Sequence, residues 1–336
     1  MSHTERSAKA VPTVDLGSID HDPAAMQALD AACQEHGFFL LTGHGIDREI
    51  AQMWVSSAAF FTGDPRHKDA IRRTESQPLG YYDRELTKQQ RDLKEVFDYT
   101  EPRRSGARQD PNQWPVEPAG FKAAMTDFYQ ASGNLAETTL ALVYRALAAG
   151  LEQPAKQPAG QQNTPALPAG SVRTSNVRLN YYPTSDPLSA SDAASTTALG
   201  SMALHHHTDP GLITLLLQDA TGGLQTQLRN GSWIDVPPNP DAVVVNLGDA
   251  LQVLSNDRYR AAVHRVQPMQ GQARYSTPFF LNPMPDATLA PIASLTDQLP
   301  RYRAFSWREY ITHRIDDNYA DLGAEDTQIS HYRIAS

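Results

Sequence analysis

Two histidines and one aspartate have the types and spacing of a metal site. A single residue separates His207 from Asp209, so on an extended chain both side chains leave the same face. His264 follows after a gap that fits several short strands returning to the same place. Together they offer two imidazoles and one carboxylate, a set that occupies one face of a metal ion and leaves coordination positions open.

This ligand set suits more than one metal. Non-haem Fe(II) oxygenases use it, whereas zinc hydrolases keep a water position open on similar ligands. His205 has the parity to share the ligand face of an ideal strand with His207. Because an open coordination sphere needs room for other ligands, we predict that His205 supports or packs beside the site rather than coordinating the metal.

A guanidinium and a hydroxyl follow shortly after the third ligand. Arg274 and Ser276 are one residue apart, so on a strand they share a face. They suit the far carboxylate of a short ligand that chelates the metal, and such a charge-assisted hydrogen bond contributes on the order of 1.5–3 kcal/mol. Lysine lacks the planar fork for this contact. The pair favours iron over zinc.

Short strands and turns dominate the part of the chain that carries these residues. Residues 177–182 alternate, with Arg178, Asn180 and Tyr182 on one face. Residues 212–217 are interpreted as a fully apolar strand and 243–247 as a buried one, and Asn230 with Gly231 predicts a hairpin. The pattern predicts an α+β protein whose mainly β core is a jelly roll wrapped by helices.

The flanking segments supply those helices. Helical patterns cover residues 24–35, 121–151 and 306–318, and Asp47 is placed to cap a further helix. Residues 81–83 and 94–99 are interpreted as edge strands or loops, and the polar stretches 152–171 and 184–197 as loops. We therefore expect a flexible N-terminus (1–10), a helical and strand segment packed on the core (11–151), the catalytic core (172–300) and a C-terminal helix and tail (301–336).

Composition limits the classes of binding partner that we expect. The net charge of the 336 residues is −9 and no basic run occurs, so nucleic acid and anionic membranes are not expected partners, and a small-molecule substrate is. The single cysteine, Cys33, excludes an intramolecular disulfide, and the N-terminal residues do not resemble a signal peptide. These features predict a cytoplasmic protein, and they select no oligomeric state.

Many ordered motifs, from about residue 11 to 334, resemble those of one family, the isopenicillin N synthase-like Fe(II)/2-oxoglutarate-dependent dioxygenases. The motifs that carry the resemblance are Pro12-Thr13-Val14-Asp15-Leu16, Gly37-Phe38-Phe39-Leu40, His44-Gly45-Ile46, Asn180-Tyr181-Tyr182-Pro183, His207-Thr208-Asp209-Pro210-Gly211, Leu215-Leu216-Leu217-Gln218-Asp219, Gly222-Gly223-Leu224-Gln225, Leu247-Gly248-Asp249, Leu254-Ser255-Asn256, His264-Arg265-Val266, Arg274-Tyr275-Ser276 and Pro278-Phe279-Phe280-Leu281-Asn282-Pro283.

The resemblance implies a double-stranded β-helix, a cupin-like jelly roll, with Fe(II) held by His207, Asp209 and His264. It also implies 2-oxoglutarate as cosubstrate and O2 as oxidant. Arg274 and Ser276 would hold the distal carboxylate of 2-oxoglutarate, and Asn180 and Tyr182 match positions that contact it in relatives. The expected reaction is hydroxylation, or its desaturation or cyclisation variants, with release of succinate and CO2.

Four further residues are candidates for contact with the primary substrate. Arg178 could bind an acid group, and a structural ion pair is its alternative role; Tyr82, Phe97 and Phe280 are candidates for the pocket wall, with ordinary core packing as the alternative. Two other functions stay open at this point. One is a family oxidase that uses Fe(II) and O2 without 2-oxoglutarate, and the other is a non-catalytic small-molecule binding protein on the same scaffold.

Overall fold

The computed structural model describes residues 10–87, 90–102, 110–150, 170, 174–269, 271–296, 298–315 and 327–335. The predicted flexible N-terminus, apart from its last residue, and nearly all of the predicted loop 152–171 lie outside these residues. The helices are α1 (Pro23–Glu35), α2 (Asp47–Phe61), α3 (Pro65–Asp69), α4 (Phe121–Ala149), α5 (Ala190–Ala194), α6 (Asp249–Leu254) and α7 (Trp307–Ile315), and two 3-10 turns cover Ala293–Leu295 and Ile329–Tyr332.

The larger of the two main sheets has eight strands in the order β1-β2-β12-β9-β14-β7-β6-β3. Apart from the parallel β1 and β2, neighbouring strands in it are antiparallel. Its strands are β1 (Thr13–Asp15), β2 (Phe38–Thr42), β3 (Gly80–Tyr82), β6 (Glu95–Thr100), β7 (Asn176–Tyr182), β9 (Ile213–Gln218), β12 (Ala242–Leu247) and β14 (Arg274–Leu281).

A second sheet of four strands, in the order β11-β10-β13-β8, shares a buried apolar cluster with one face of the first. The turn at Asn230 and Gly231 joins β10 to β11 as the sequence predicts. Its strands are β8 (Leu204–His207), β10 (Leu224–Gln227), β11 (Trp233–Asp235) and β13 (His264–Val266); the short pairs β4 (Leu86–Thr87) with β5 (Gln90–Arg91) and β15 (Thr288–Leu289) with β16 (Phe305–Ser306) complete the described strands.

Both faces of the large sheet are buried, and this explains its continuous apolar runs. In β2, Phe38 and Leu40 belong to a cluster between the two sheets, while Phe39 and Leu41 belong to the cluster under the helices. The same alternation continues in β12. Because side chains of a strand point alternately to opposite faces, every position of such a strand can be apolar.

The long helix α4 braces the outer face of this sheet. It packs against β9 and β14, and α1 and α2 pack against it in turn. Two buried tyrosines tie it to the sheet side: Tyr129 donates a hydrogen bond to the Ser175 carbonyl (2.8 Å), and Tyr99 of β6 donates to the Met125 carbonyl of the helix (3.1 Å). The inner face of the sheet is thereby left for the site.

Several local expectations are corrected. Asp47 is the first residue of α2 and makes no capping bond. Strand β6 is an interior strand between β3 and β7, not an edge strand. The polar stretch 184–197 contains the short helix α5, capped by Ser189. Among the described residues, no helix is long and apolar enough to cross a membrane.

Substitution of Phe97 tests how much packing in the outer core contributes to the stability of the protein. Its buried ring packs against Phe60, Tyr99, Trp114 and Phe121. Phe97→Ala should lower the free energy of unfolding in urea by about 3–5 kcal/mol, since it leaves a cavity the helices cannot refill. Val55 is 73% exposed, and Val55→Ala should change the same quantity by less than about 0.5 kcal/mol. A similar loss in both variants would contradict this packing.

Candidate metal centre

The three predicted ligands come together between the two sheets. Strands β8 and β13 are antiparallel neighbours in which His207 and His264 are directly paired, and Asp209 follows two residues after β8 ends. Asp209 Oδ1 lies 3.6 Å from Nε2 of His207 and 3.7 Å from Nε2 of His264. All three candidate ligand atoms lie within 4.8 Å of one another. The sheet register thus presents three donors to one point.

Backbone contacts orient both imidazoles. His207 Nδ1 lies 2.8 Å from the His205 carbonyl oxygen, and His264 Nδ1 lies 3.1 Å from the Ala262 carbonyl oxygen. A carbonyl can only accept, so each Nδ1 carries the proton and donates it. In a neutral ring the Nε2 lone pair is then available, and it faces the carboxylate. Metal-binding histidines commonly have this second contact, which fixes the ring orientation.

The two carboxylate oxygens of Asp209 have different partners. Its Oδ2 accepts hydrogen bonds from Thr214 Oγ1 (2.5 Å) and Asn246 Nδ2 (2.7 Å), and both donors are buried. Its Oδ1 faces the two imidazoles. Thr214 and Asn246 are cross-strand partners on β9 and β12, so the large sheet holds the carboxylate from below and turns one oxygen towards the histidines.

The charge states suit cation binding. Burial and the neighbouring His264 lower the pKa of His207 to about 3, so this imidazole is neutral at pH 7. Burial alone would favour the neutral acid at Asp209, but the imidazoles of His264 and His207 and the bonds from Thr214 and Asn246 hold its pKa below the usual value. The centre therefore combines one negative charge with a neutral nitrogen ligand, the forms that bind a divalent metal.

The loop that carries Asp209 is fixed from behind by α6. The Asp249 amide donates to the Asp209 carbonyl (2.8 Å), and the Asp249 carboxylate accepts from Tyr310 of α7 (2.6 Å) and from Thr208 (3.2 Å). Gly248 permits this approach, because a Cβ there would lie 2.2 Å from the Gly211 carbonyl oxygen. Helix α7 is thereby connected to the ligand loop.

His205 lies outside the cluster of three. Its Nδ1 is 2.9 Å from Asp92 Oδ1, and it is absent from the group of described side chains whose ligand atoms converge. Its backbone carbonyl, rather than its ring, contributes to the centre by orienting His207. The structure thus places the ring beside the site, in a supporting position.

A buried arginine lies in the same cavity as the three candidate ligands. Arg274 is fully buried, and its Nε and Nη1 have no hydrogen-bond partner among the described residues, while Nη2 lies 3.4 Å from Gln218 Oε1. Burial lowers the pKa of this guanidinium. A buried cation with unsatisfied donors is costly unless an anion pairs with it, so these atoms fit the carboxylate of a bound ligand.

The other residues predicted to bind the cosubstrate surround this arginine. Tyr182 pairs with Arg274 across β7 and β14, and its ring centroid lies 5.0 Å from the guanidinium carbon. Asn180 pairs with Ser276, and its Nδ2 lies 3.4 Å from Ser276 Oγ. Arg178, Asn180 and Tyr182 all line the cavity, so the predicted common face of this strand is confirmed.

The cavity has a volume of about 240 Å³ and takes its walls from both sheets, the N-terminal segment and α7. Of the predicted substrate contacts, Arg178 and Phe280 line it. Tyr82 and Phe97 are not among its lining residues: the Tyr82 ring packs against Arg73, and Phe97 lies in the aromatic core. Phe97 therefore has the alternative role, core packing, whereas Tyr82 is half-buried and belongs to neither apolar cluster.

Sequence reasoning missed several residues of this site. Thr214 and Asn246, which hold Asp209, interrupt runs that otherwise contain only apolar residues, so the prediction of a fully apolar strand over 212–217 is wrong. An isolated polar residue in a doubly buried strand is a usable indication, since it needs a partner inside. The cavity residues Glu85, Lys94, Ile311 and Arg314 lie on distant segments, and no local pattern indicates them.

Comparisons with known proteins agree with this geometry. The family model of the 2OG-Fe(II) oxygenase superfamily matches residues 173–283, and the model of the N-terminal region of non-haem dioxygenases in morphine synthesis matches residues 11–117. The 2-oxoglutarate-dependent dioxygenase citB of Monascus ruber is 33% identical over 95% of this chain and 98% of its own. Scopoletin 8-hydroxylase of Arabidopsis thaliana is 28% identical over 91% and 81%, respectively.

Solved structures share the fold. That of a full-length Neurospora crassa protein in complex with alpha-KG superposes with a TM-score of 0.72, at 25% identity, over 91% of this chain and 95% of the other. A 2OG-Fe(II) oxygenase family protein from Caulobacter crescentus gives the same TM-score at 26% identity, over 91% and 98%. The α+β prediction with a jelly-roll core is thereby confirmed.

The hydrogen bond from Thr214 to Asp209 gives a test of the centre. Thr214→Val keeps the side-chain shape but removes the donor, so Asp209 becomes less well oriented, and affinity for Fe(II) should fall about 10- to 100-fold in anaerobic titrations. Thr139 is a matched control, because its buried hydroxyl bonds to the Leu135 carbonyl within α4. Thr139→Val should leave metal affinity unchanged; equal affinities in all three proteins would refute the role of Thr214.

Proposed function

This chain belongs to the 2OG-Fe(II) oxygenase superfamily, and we propose that His207, Asp209 and His264 are the residues with which it holds Fe(II). It is an Fe(II)- and 2-oxoglutarate-dependent dioxygenase that acts on small molecules. The observation that carries the ligand assignment is the convergence of two Nε2 atoms on Asp209 Oδ1, with both Nδ1 atoms engaged by backbone carbonyls.

The cosubstrate site proposed for 2-oxoglutarate centres on Arg274. Its Nε and Nη1, which no described residue engages, suit the two oxygens of the distal carboxylate, and Ser276 on the same strand face adds a hydroxyl. Tyr182 packs against the guanidinium and Asn180 contacts Ser276, so both limit the positions that the cosubstrate can take. The carboxylate would offset the cost of burying the arginine charge.

Each protein group has a separate part in the reaction. Bound Fe(II), with 2-oxoglutarate and O2, supplies the oxidising power, and 2-oxoglutarate leaves as succinate and CO2. His207, His264 and one carboxylate oxygen of Asp209 would hold the metal, and three such protein ligands would leave coordination positions open for the cosubstrate and O2. Thr214 and Asn246 keep the second oxygen of Asp209 occupied, so that its first oxygen stays directed at the two imidazoles.

We also propose a division of labour along the chain. Residues 172–300 would form the catalytic core, while 11–151 and 301–336 would complete the cavity wall, as the cavity contacts of Leu86, Lys94, Ile311 and Arg314 suggest. Phe280 and Arg178 remain the proposed substrate contacts of the four candidates. A cytoplasmic location is supported by the single buried Cys33, and the net charge of −9 argues against nucleic acid as partner.

A direct assay identifies both the activity and the substrate. Protein loaded anaerobically with Fe(II) is exposed to air with 2-oxoglutarate, first alone and then with members of a metabolite library. Succinate formation that depends on one library member is expected, and that member is the primary substrate. Oxygen uptake with a library member but no succinate would instead indicate an oxidase that does not consume 2-oxoglutarate.

Arg274 can be tested separately from the metal. Arg274→Met removes the guanidinium donors, so affinity for 2-oxoglutarate should fall roughly 10- to 100-fold in anaerobic calorimetry, while Fe(II) affinity stays unchanged. Arg258 is a matched control, since it is a largely buried arginine that pairs with Asp30 away from the cavity. Unchanged 2-oxoglutarate affinity in Arg274→Met would rule out this cosubstrate site.

A further inference from the structure

One wall of the cavity consists of a network of buried charges, which Asp92 extends to His205 (2.9 Å between Oδ1 and Nδ1). Glu85, Lys94 and Arg178 line the cavity, and Arg73, Asp92 and Asp98 lie behind them. The ion pairs that connect the six are Arg178 to Asp98 and Glu85, Arg73 to Asp98 and Glu85, and Lys94 to Glu85 and Asp92, with distances from 2.7 to 3.1 Å. Five of the six residues lie between positions 73 and 98, and Arg178 lies on β7.

This network is electrically balanced. It contains the three cations Arg73, Lys94 and Arg178 and the three anions Glu85, Asp92 and Asp98. The remaining cavity cation besides Arg274 is Arg314, which lies 3.9 Å from Asp249 and donates to the Thr208 carbonyl. A further charge placed against this wall would have no counter-charge of its own, and an uncompensated buried charge is strongly unfavourable.

Unlike the charges, the hydrogen-bond donors and acceptors of this wall are not balanced. Both oxygens of Glu85 are occupied: Oε1 accepts from Arg73, and Oε2 accepts from Arg178 and lies 2.7 Å from Lys94 Nζ. Arg178 has five N–H donors, and three of them bind described residues, at Asp98 Oδ1, Asp98 Oδ2 and Glu85 Oε2. Its side chain is 22% exposed, against 3% for Lys94 and Glu85. The accessible part of the wall is therefore the guanidinium of Arg178, whose charge is neutralised by Asp98 and Glu85 but which can still donate hydrogen bonds.

The charges in the opposite part of the cavity also balance. This step of the inference rests on the proposed function, because it counts Fe(II) and 2-oxoglutarate as bound. There the two positive charges of Fe(II) and the one of Arg274 meet the single negative charge of Asp209 and the two of 2-oxoglutarate. When the pair of Arg314 and Asp249 is counted as well, the loaded cavity contains no excess charge of either sign to attract an ionic substrate.

From these observations we propose that the primary substrate is an uncharged small molecule whose carbonyl-type oxygen accepts a hydrogen bond from Arg178. A carboxylate in the same position would approach Asp98 and Glu85, which already flank the guanidinium within 2.9 Å. The rest of the molecule is mostly apolar, because the neighbouring lining is contributed by Leu86, Leu204, Pro278, Phe280 and Ile311. Arg178 and Glu85 are thus specificity-determining residues.

Matched ligand pairs test this without knowledge of the natural substrate. Each pair is an aromatic or alicyclic carboxylic acid and its primary amide, beginning with benzoate and benzamide. Binding is measured by anaerobic calorimetry at pH 7.5 to the Fe(II)-loaded protein, with 2-oxoglutarate at saturation so that the acids cannot enter the cosubstrate site. The amide should bind at least about tenfold more tightly in the pairs that bind. Acids that bind as tightly as their amides, or a series in which neither member binds, would overturn the proposal.

A charge-changing substitution in the wall sharpens the test. Glu85→Gln keeps the shape but leaves the network one positive charge in excess, so the preference for the amide should fall by about tenfold or reverse. Glu95→Gln is the matched control, because Glu95 is equally buried and pairs with Lys68, yet does not line the cavity. An equal change in both variants would contradict the role of the wall. The wild-type comparison stands even if Glu85→Gln fails to fold.

Failure of the proposed function would be visible in the same experiment. If the iron-loaded protein does not bind 2-oxoglutarate, the cosubstrate assignment is wrong, and this is measured before any ligand pair is added. If 2-oxoglutarate binds but acids equal or exceed their amides, only the inference about the substrate is wrong.

Discussion

The site depends on one buried carboxylate whose two oxygens have different surroundings. Asp209 Oδ2 accepts bonds from Thr214 and Asn246, and Oδ1 faces two imidazole nitrogens. Burying a carboxylate is unfavourable unless hydrogen bonds and positive charge compensate for it. The two bonds supply part of that compensation, and they also stop the carboxylate from rotating. A divalent cation at Oδ1 would supply the rest, so the same constraint that stabilises the residue prepares it to bind metal.

Sheet register carries this arrangement across the molecule. The pairing of Asn246 with Thr214 forms the floor below Asp209, and the pairing of His207 with His264 forms the opposite wall. The pairing of Arg274 with Tyr182 forms the end of the cavity that we propose binds the distal carboxylate. Slippage by one residue in any of these pairs would turn the functional side chain to the other face. Helix α4 packs on the outer face of the large sheet, while the inner face carries an apolar cluster and the polar groups of the site.

The sequence predicts those parts of the site whose residues are close together or repeat with a clear period. Alternation places Arg178, Asn180 and Tyr182 on one face, and the spacing of His207 and Asp209 indicates a common direction, because period two is a local property of strands. The roles of Asp92 and Glu85 depend on contacts between distant segments, which no local pattern encodes. An aromatic side chain such as Phe97 is common both in pocket walls and in cores. Only its neighbours in the structure, which are other core aromatics, show that it belongs to the core.

A crystal structure of the protein grown anaerobically with Fe(II) and 2-oxoglutarate would show directly whether Asp209 binds the metal through Oδ1. We expect a single iron bound by Nε2 of His207, Nε2 of His264 and Oδ1 of Asp209, with Oδ2 still held by Thr214 and Asn246. We also expect the distal carboxylate of 2-oxoglutarate at Nε and Nη1 of Arg274. Iron bound through Nδ1 or at other side chains, or 2-oxoglutarate away from Arg274, would contradict this assignment.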